Sequence, residues 1–142
     1  MDYDQLSRKL LMAMKRFHDS QMQKQIDASL HGETSVLQYL ANKGGDVIPS
    51  EISDVMQVST ARVAAALNSL EGKGLITRQI DVDDRRRILV RLTSAGERQA
   101  AEFREMVLGN MADMLRSLGE RDAQEYVRIT NRLAELISQP NE

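Results

Sequence analysis

Residues 59–96 read STARVAAALNSLEGKGLITRQIDVDDRRRILVRLTSAG, and a change of rhythm inside this stretch decides the fold. Val63, Leu67 and Leu70 recur at spacings of four and three, the period of a helix with one apolar face. Ser59 stands just ahead of them, where a hydroxyl accepts from the free amides of a first helical turn, and Gly72 and Gly74 stop the run. Aliphatic and β-branched residues then crowd Leu75 to Ile80 and Ile88 to Leu92, on either side of the charged stretch Asp81 to Arg87. That pattern predicts a β-hairpin with a charged tip. Thr93 follows as the cap of a further helix.

Working upstream, Pro49 suits the first turn of a helix and not its interior, so Pro49 to Met56 opens a short helix. A tight turn at Gln57-Val58 joins it to the helix capped by Ser59, and two short helices so joined form a helix-turn-helix unit. Asp46-Val47-Ile48 is long enough only for an edge strand. Thr34 to Lys43 reads as a helix with Val36, Leu37 and Leu40 inward and Gly44-Gly45 as its stop. Tyr3, Leu6, Leu10, Met14 and Phe17, continued by Met22 and Ile26, mark a long amphipathic helix from Tyr3 to Ile26. Downstream, Phe103, Met106, Met111, Leu115 and Leu118 stripe a long helix that Gly119 interrupts. Tyr126, Ile129, Leu133 and Leu136 stripe a last one, Glu120 to Ser138. The fold class is mainly α with a small β wing: a winged helix-turn-helix at 34–92, a connecting helix at 93–118, and flanking helices at 1–30 and 120–142.

With 142 residues the chain suits one domain with a core, and scarce aromatics beside 8 methionines fit helical packing. Cysteine is absent, which excludes disulfides, thiolate metal sites and thiol redox signalling from this chain. His18 and His31 form no His-x-x-x-His pair, and the glycines mark helix ends with no phosphate-binding fingerprint, so neither a metal, a cofactor nor an enzymatic constellation is expected. The acidic N-terminus and the shortness of the apolar runs predict a soluble, cytoplasmic protein with no membrane partner. The formal net charge is -2, but base outnumbers acid in the middle: Arg62, Lys73, Arg78, Arg85, Arg86, Arg87 and Arg91 face Glu71, Asp81, Asp83 and Asp84.

The order Val58 to Val63, Leu70 to Ile76, Asp84-Arg85-Arg86 and Leu92-Thr93-Ser94-Ala95-Gly96 resembles the multiple-antibiotic-resistance-regulator (MarR) family over essentially the whole chain. The wing pattern, ending in Leu-Thr-x-x-Gly, is its most specific part. The resemblance implies a homodimeric repressor on double-stranded DNA, paired through its terminal helices on a pseudo-palindromic operator. A helix fits the major groove, with its N-terminal residues at base edges. Opposite the buried stripe lie Thr60, Ala61, Arg62, Ala65, Asn68 and Ser69, which with Ser59 make the expected groove-facing set. The resemblance puts Arg86 in the minor groove, Asp84 as its orienter and Arg85 on phosphate; Arg87, Lys73 and Arg78 complete the expected wing and phosphate contacts. Where the family often has arginine, this helix has Ala65 and Ser69, which shifts affinity toward the wing.

Relatives of this kind commonly release DNA on binding a small aromatic or anionic ligand. Met14, Arg16, His18, Tyr39 and Met111 are the candidate pocket residues. The competing reading is a winged-helix protein-interaction module without DNA binding, suggested by the negative net charge and the alanine-rich helix face.

Overall fold

The structure is a computed structural model that describes residues 1–20, 24 and 32–138. Its described elements run α1 (Tyr3–His18), α2 (Glu33–Lys43), α3 (Pro49–Met56), α4 (Thr60–Gly72), β1 (Ile76–Ile80), β2 (Ile88–Leu92), α5 (Ser94–Leu118) and α6 (Glu120–Ser138). The chain divides into two units, Met1–Phe103 and Arg104–Glu142, and the division falls inside α5. The first helix ends earlier than its apolar spacing suggested: Asp19 caps it, its N–H donating to Lys15 O at 3.0 Å. Met22, Ile26 and His31 lie outside the described residues.

One apolar cluster holds the first unit together. Val36, Leu37 and Leu40 of α2, Ile52 of α3, and Val63, Leu67 and Leu70 of α4 pack with Val47, Leu75, Ile76 and Val90, all nearly inaccessible to water. Each side chain buried this fully contributes roughly 1.5–3 kcal/mol. The stripes read from the sequence are therefore the faces that meet. The helix-turn-helix is closed by local polar bonds. Gln57 caps α3 in the left-handed region (φ 54°), its Nε2 donating to Asp54 O at 2.9 Å, while Ser53 Oγ donates to Val58 O at 2.7 Å. Ser59 then caps α4, accepting from the Arg62 N–H at 3.2 Å. Ser59→Ala is expected to lower stability by about 1 kcal/mol, read as a lower urea midpoint at unchanged slope.

The hairpin is antiparallel, from Ile76 opposite Leu92 to Ile80 opposite Ile88. Val47 adds a single bridge to Val90, and Arg91 grips the neighbouring Asp46 with two bonds of 2.8 and 3.0 Å. At the far end of β2 the chain turns into α5 through Thr93. Its N–H donates to Leu75 O at 3.0 Å, its hydroxyl donates to Gly74 O at 2.7 Å, and the same hydroxyl accepts from the Gly96 N–H at 3.1 Å. Gly96 is buried against the Leu75 carbonyl, so close that a Cβ there would lie 2.0 Å from its oxygen. The Leu-Thr-x-x-Gly sequence is thus a joint: threonine caps the helix and glycine lets the helix touch the strand entry. Gln38 of α2 also donates to Ala100 O of α5 at 2.8 Å.

In the second unit, Gly119 (φ 82°) separates α5 from α6. α6 has no buried residue, and Tyr126, Ile129, Leu133, Leu136 and Ile137 are all exposed. α1 likewise buries nothing and exposes Leu6, Leu10, Met14 and Phe17. No helix among the described residues is long and apolar enough to cross a membrane.

Candidate nucleic-acid interface

With its apolar stripe turned to the core, α4 leaves Thr60, Ala61, Arg62, Ala65 and Asn68 exposed, as the wheel predicts. Ala64 is exposed beside them and was not among the expected set. Arg62 has no ion-pair partner among the described residues. Ser69 is placed differently: it is half-buried, and it contributes with Lys73 to holding down the pKa of the Glu33 carboxyl, the carboxylate that takes Lys73 Nζ at 2.6 Å. Lys73 was expected at a phosphate, and the structure gives its charge a local partner.

Arg78 is engaged too. From β1 its Nε and Nη2 donate to the two carboxylate oxygens of Glu71 at 3.2 and 3.1 Å, and Nη2 donates to Asn68 Oδ1 at 2.7 Å. β1 and α4 are thereby tied together across Glu71, Arg78 and Asn68.

The wing tip is a small hydrogen-bonded loop. The Arg87 N–H donates to Asp84 O at 2.9 Å, the Asp81 N–H donates to Arg87 O at 3.0 Å, and the Asp83 N–H donates to Asp81 Oδ1 at 2.9 Å. Asp84 Oδ1 accepts from the Arg86 backbone N–H at 3.1 Å and from its Nε at 3.4 Å. Arg86 is held at its base yet 93% exposed, and Arg85 and Arg87 are exposed beside it. A guanidinium presented this way keeps its outer donors for a partner. The pairing of Asp84 with Arg86 that the resemblance implies is present in the geometry.

The ion pairs set a pH dependence. Bonds from Lys73 and then Ser69 hold the Glu33 carboxyl below the ordinary 4.5, and the Arg78 guanidinium does the same to Glu71. A depressed folded-state value means stability present above pH 4.5 and lost as the pH falls through those lowered values. Thermal midpoints should therefore be level near neutrality and decline below about pH 4.5, with a shallower decline in Glu33→Gln. Both groups are solvent-screened, so the expected contribution is small.

Of the candidate pocket residues, Met14, Arg16 and His18 are exposed along α1, Tyr39 is half-buried against the core, and Met111 is exposed on α5. An open groove of about 450 Å³ is lined instead by residues including Lys43, Asp46, Glu51, Asp54, Arg87 and Leu89, and none of the five candidate pocket residues lines it. Among the described residues no cluster of three His, Cys, Asp or Glu side chains could hold a metal.

Comparison with known proteins shows what this chain is similar to. A MarR family model matches residues 29–87. The HTH-type transcriptional repressor MdtR of Bacillus subtilis is 34% identical over 96 residues, which cover 66% of this chain and 60% of the repressor. Among solved structures, YusO from Bacillus subtilis is 26% identical with a TM-score of 0.73, covering 95% of this chain and 99% of that one. A Staphylococcus aureus MepR–DNA complex is 26% identical with a TM-score of 0.54, covering 92% of this chain and 98% of the other. The capped helix-turn-helix, the arginine-tipped wing, the Thr93–Gly96 joint and these likenesses together make this chain similar to the MarR family of winged-helix regulators.

Proposed function

We propose that the chain is a cytoplasmic, homodimeric transcriptional repressor that binds a pseudo-palindromic operator in double-stranded DNA. The observation that carries this reading is Arg86, oriented at its base by Asp84 and exposed at the wing tip, beyond a capped helix whose small-residue face is open to solvent. The helix enters a major groove with Arg62 and Asn68 toward base edges, and Arg86 enters the adjacent minor groove, whose width an arginine reads. Support comes from a relative named as a repressor and a similar structure solved with DNA. Since Lys73 and Arg78 are already paired, the phosphate contacts fall to Arg85 and Arg87 and the salt slope is modest.

Dimerisation rests on the exposed apolar faces of α1 and α6, which a second copy would cover. Two-fold symmetry then sets the recognition helices about one DNA turn, roughly 34–36 Å, apart. A small aromatic or anionic ligand that prefers one wing spacing would relieve repression by shifting the population of the two spacings.

The test is capture of fragmented genomic duplex by the purified chain at low salt, followed by titration of the retained fragments. Retention of a discrete set of fragments, bound more tightly than random duplex, is the expected result. No affinity for any duplex at low salt would overturn it and favour the protein-interaction module.

A further inference from the structure

The Glu71–Arg78–Asn68 arrangement bears on how the recognition helix reads bases, and so rests on the DNA-binding reading above. A guanidinium has donors only, so the group that meets Arg78 Nη2 at 2.7 Å must be the amide oxygen of Asn68 and not its nitrogen. The planar amide then has one orientation. Its NH2 group is the end that Arg78 does not engage, on a residue exposed on α4 one turn after Ala64 and Ala65. Arg78 is itself fixed, with two bonds to Glu71 and a side chain only 27% exposed.

An asparagine free to turn pairs with adenine through both ends, accepting from N6 and donating to N7. Here one lone pair of the oxygen is already engaged with a charged donor that fixes its direction, while the NH2 remains to donate. We infer that Asn68 reads a hydrogen-bond acceptor on a major-groove base edge through its amide NH2, and that Arg78, anchored by Glu71, is the positioning residue that sets this polarity and is not a phosphate contact. The acceptors within its chemistry are the purine N7, guanine O6 and thymine O4.

The probes are the most strongly retained genomic duplex, a set of its single base-pair replacements, and a random duplex. They are titrated over a range of salt with the full chain and with Arg78→Met, Asn68→Ala and Asn68→Asp. The expected result for Arg78→Met is an affinity about tenfold lower for the retained duplex, a preference relaxed at the same base pair as in Asn68→Ala, and an unchanged salt slope. Asn68→Asp keeps an acceptor for Arg78 but has no N–H, so it should lose at least as much as Asn68→Ala. A loss in Arg78→Met that is equal on every duplex, with a slope shallower by about one, would identify a phosphate contact and overturn the inference while leaving DNA binding intact. If Arg78→Met melts early, the two substitutions at exposed Asn68 decide: no change in preference at any base pair overturns the inference. Wild-type protein that binds none of the duplexes removes the underlying reading instead.

Discussion

Gly96→Ala should destabilise the winged domain by about 3 kcal/mol or more, lowering its thermal midpoint by roughly 10 °C. Two effects oppose each other at this position. Alanine is the better helix former by up to about 1 kcal/mol, and Gly96 sits within α5. Its added methyl, however, would fall 2.0 Å from Leu75 O and 3.0 Å from the carbonyl carbon, with Leu92 Cδ2 at 3.1 Å. The obstacle is backbone, which cannot turn aside as a side chain can. That carbonyl also accepts the Thr93 N–H, so displacing it breaks the joint between strand and helix. Gly72, at the end of α4, supplies the control: a Cβ there meets nothing within 4 Å. Gly72→Ala should leave the midpoint unchanged or slightly raised. Equal midpoints for Gly96→Ala and wild type would contradict the account of the joint.

Leu133→Asp on α6 is expected to convert a dimer to folded monomers and to weaken operator binding by about 10²–10⁴. Leu133 is 55% exposed and lies in line with Tyr126, Ile129 and Leu136, so nothing in its own core depends on it. A face of this kind is stable in water only at a cost, which a second copy relieves by covering it. Aspartate there would have to lose its hydration on association, with no partner charge supplied by the apolar stripe. The expected pattern is an unchanged thermal midpoint at low protein concentration, half the mass by light scattering, and loss of the avidity that two linked half-sites provide. A wild-type chain that is monomeric, or a Leu133→Asp chain that stays dimeric, would show that this face is not the contact.

Much of this was legible in the sequence because burial has a period. The stripe Val63, Leu67, Leu70 fixed which side of α4 is inward, Pro49, Gly44 and Gly119 marked helix ends through backbone chemistry, and Ser59 did so through its hydroxyl. The pairing of charges was not legible. Lys73 finds Glu33 forty residues away, and Arg91 finds Asp46 across forty-five. Periodicity says which residues face water and not which of them neutralise each other, so Lys73 and Arg78 read as free cations. Ser69 shows the same limit: its position on the wheel is outward, yet the fold leaves it half-buried. The motif glycine at 96 was recognisable as a pattern, while its reason, contact with the Leu75 carbonyl, depends on a residue twenty-one positions earlier.

If the exposed arginine at the wing tip carries DNA affinity, one comparison of variants will show it. Wild type, Arg86→Ala and Arg128→Ala are titrated against one labelled duplex over a range of salt. Arg128 is an exposed arginine of α6 paired with Glu125, so its loss changes net charge equally. The account predicts that Arg86→Ala binds about tenfold more weakly or worse, with a salt slope shallower by about one, while Arg128→Ala follows wild type. Superimposable curves for Arg86→Ala and wild type would contradict it.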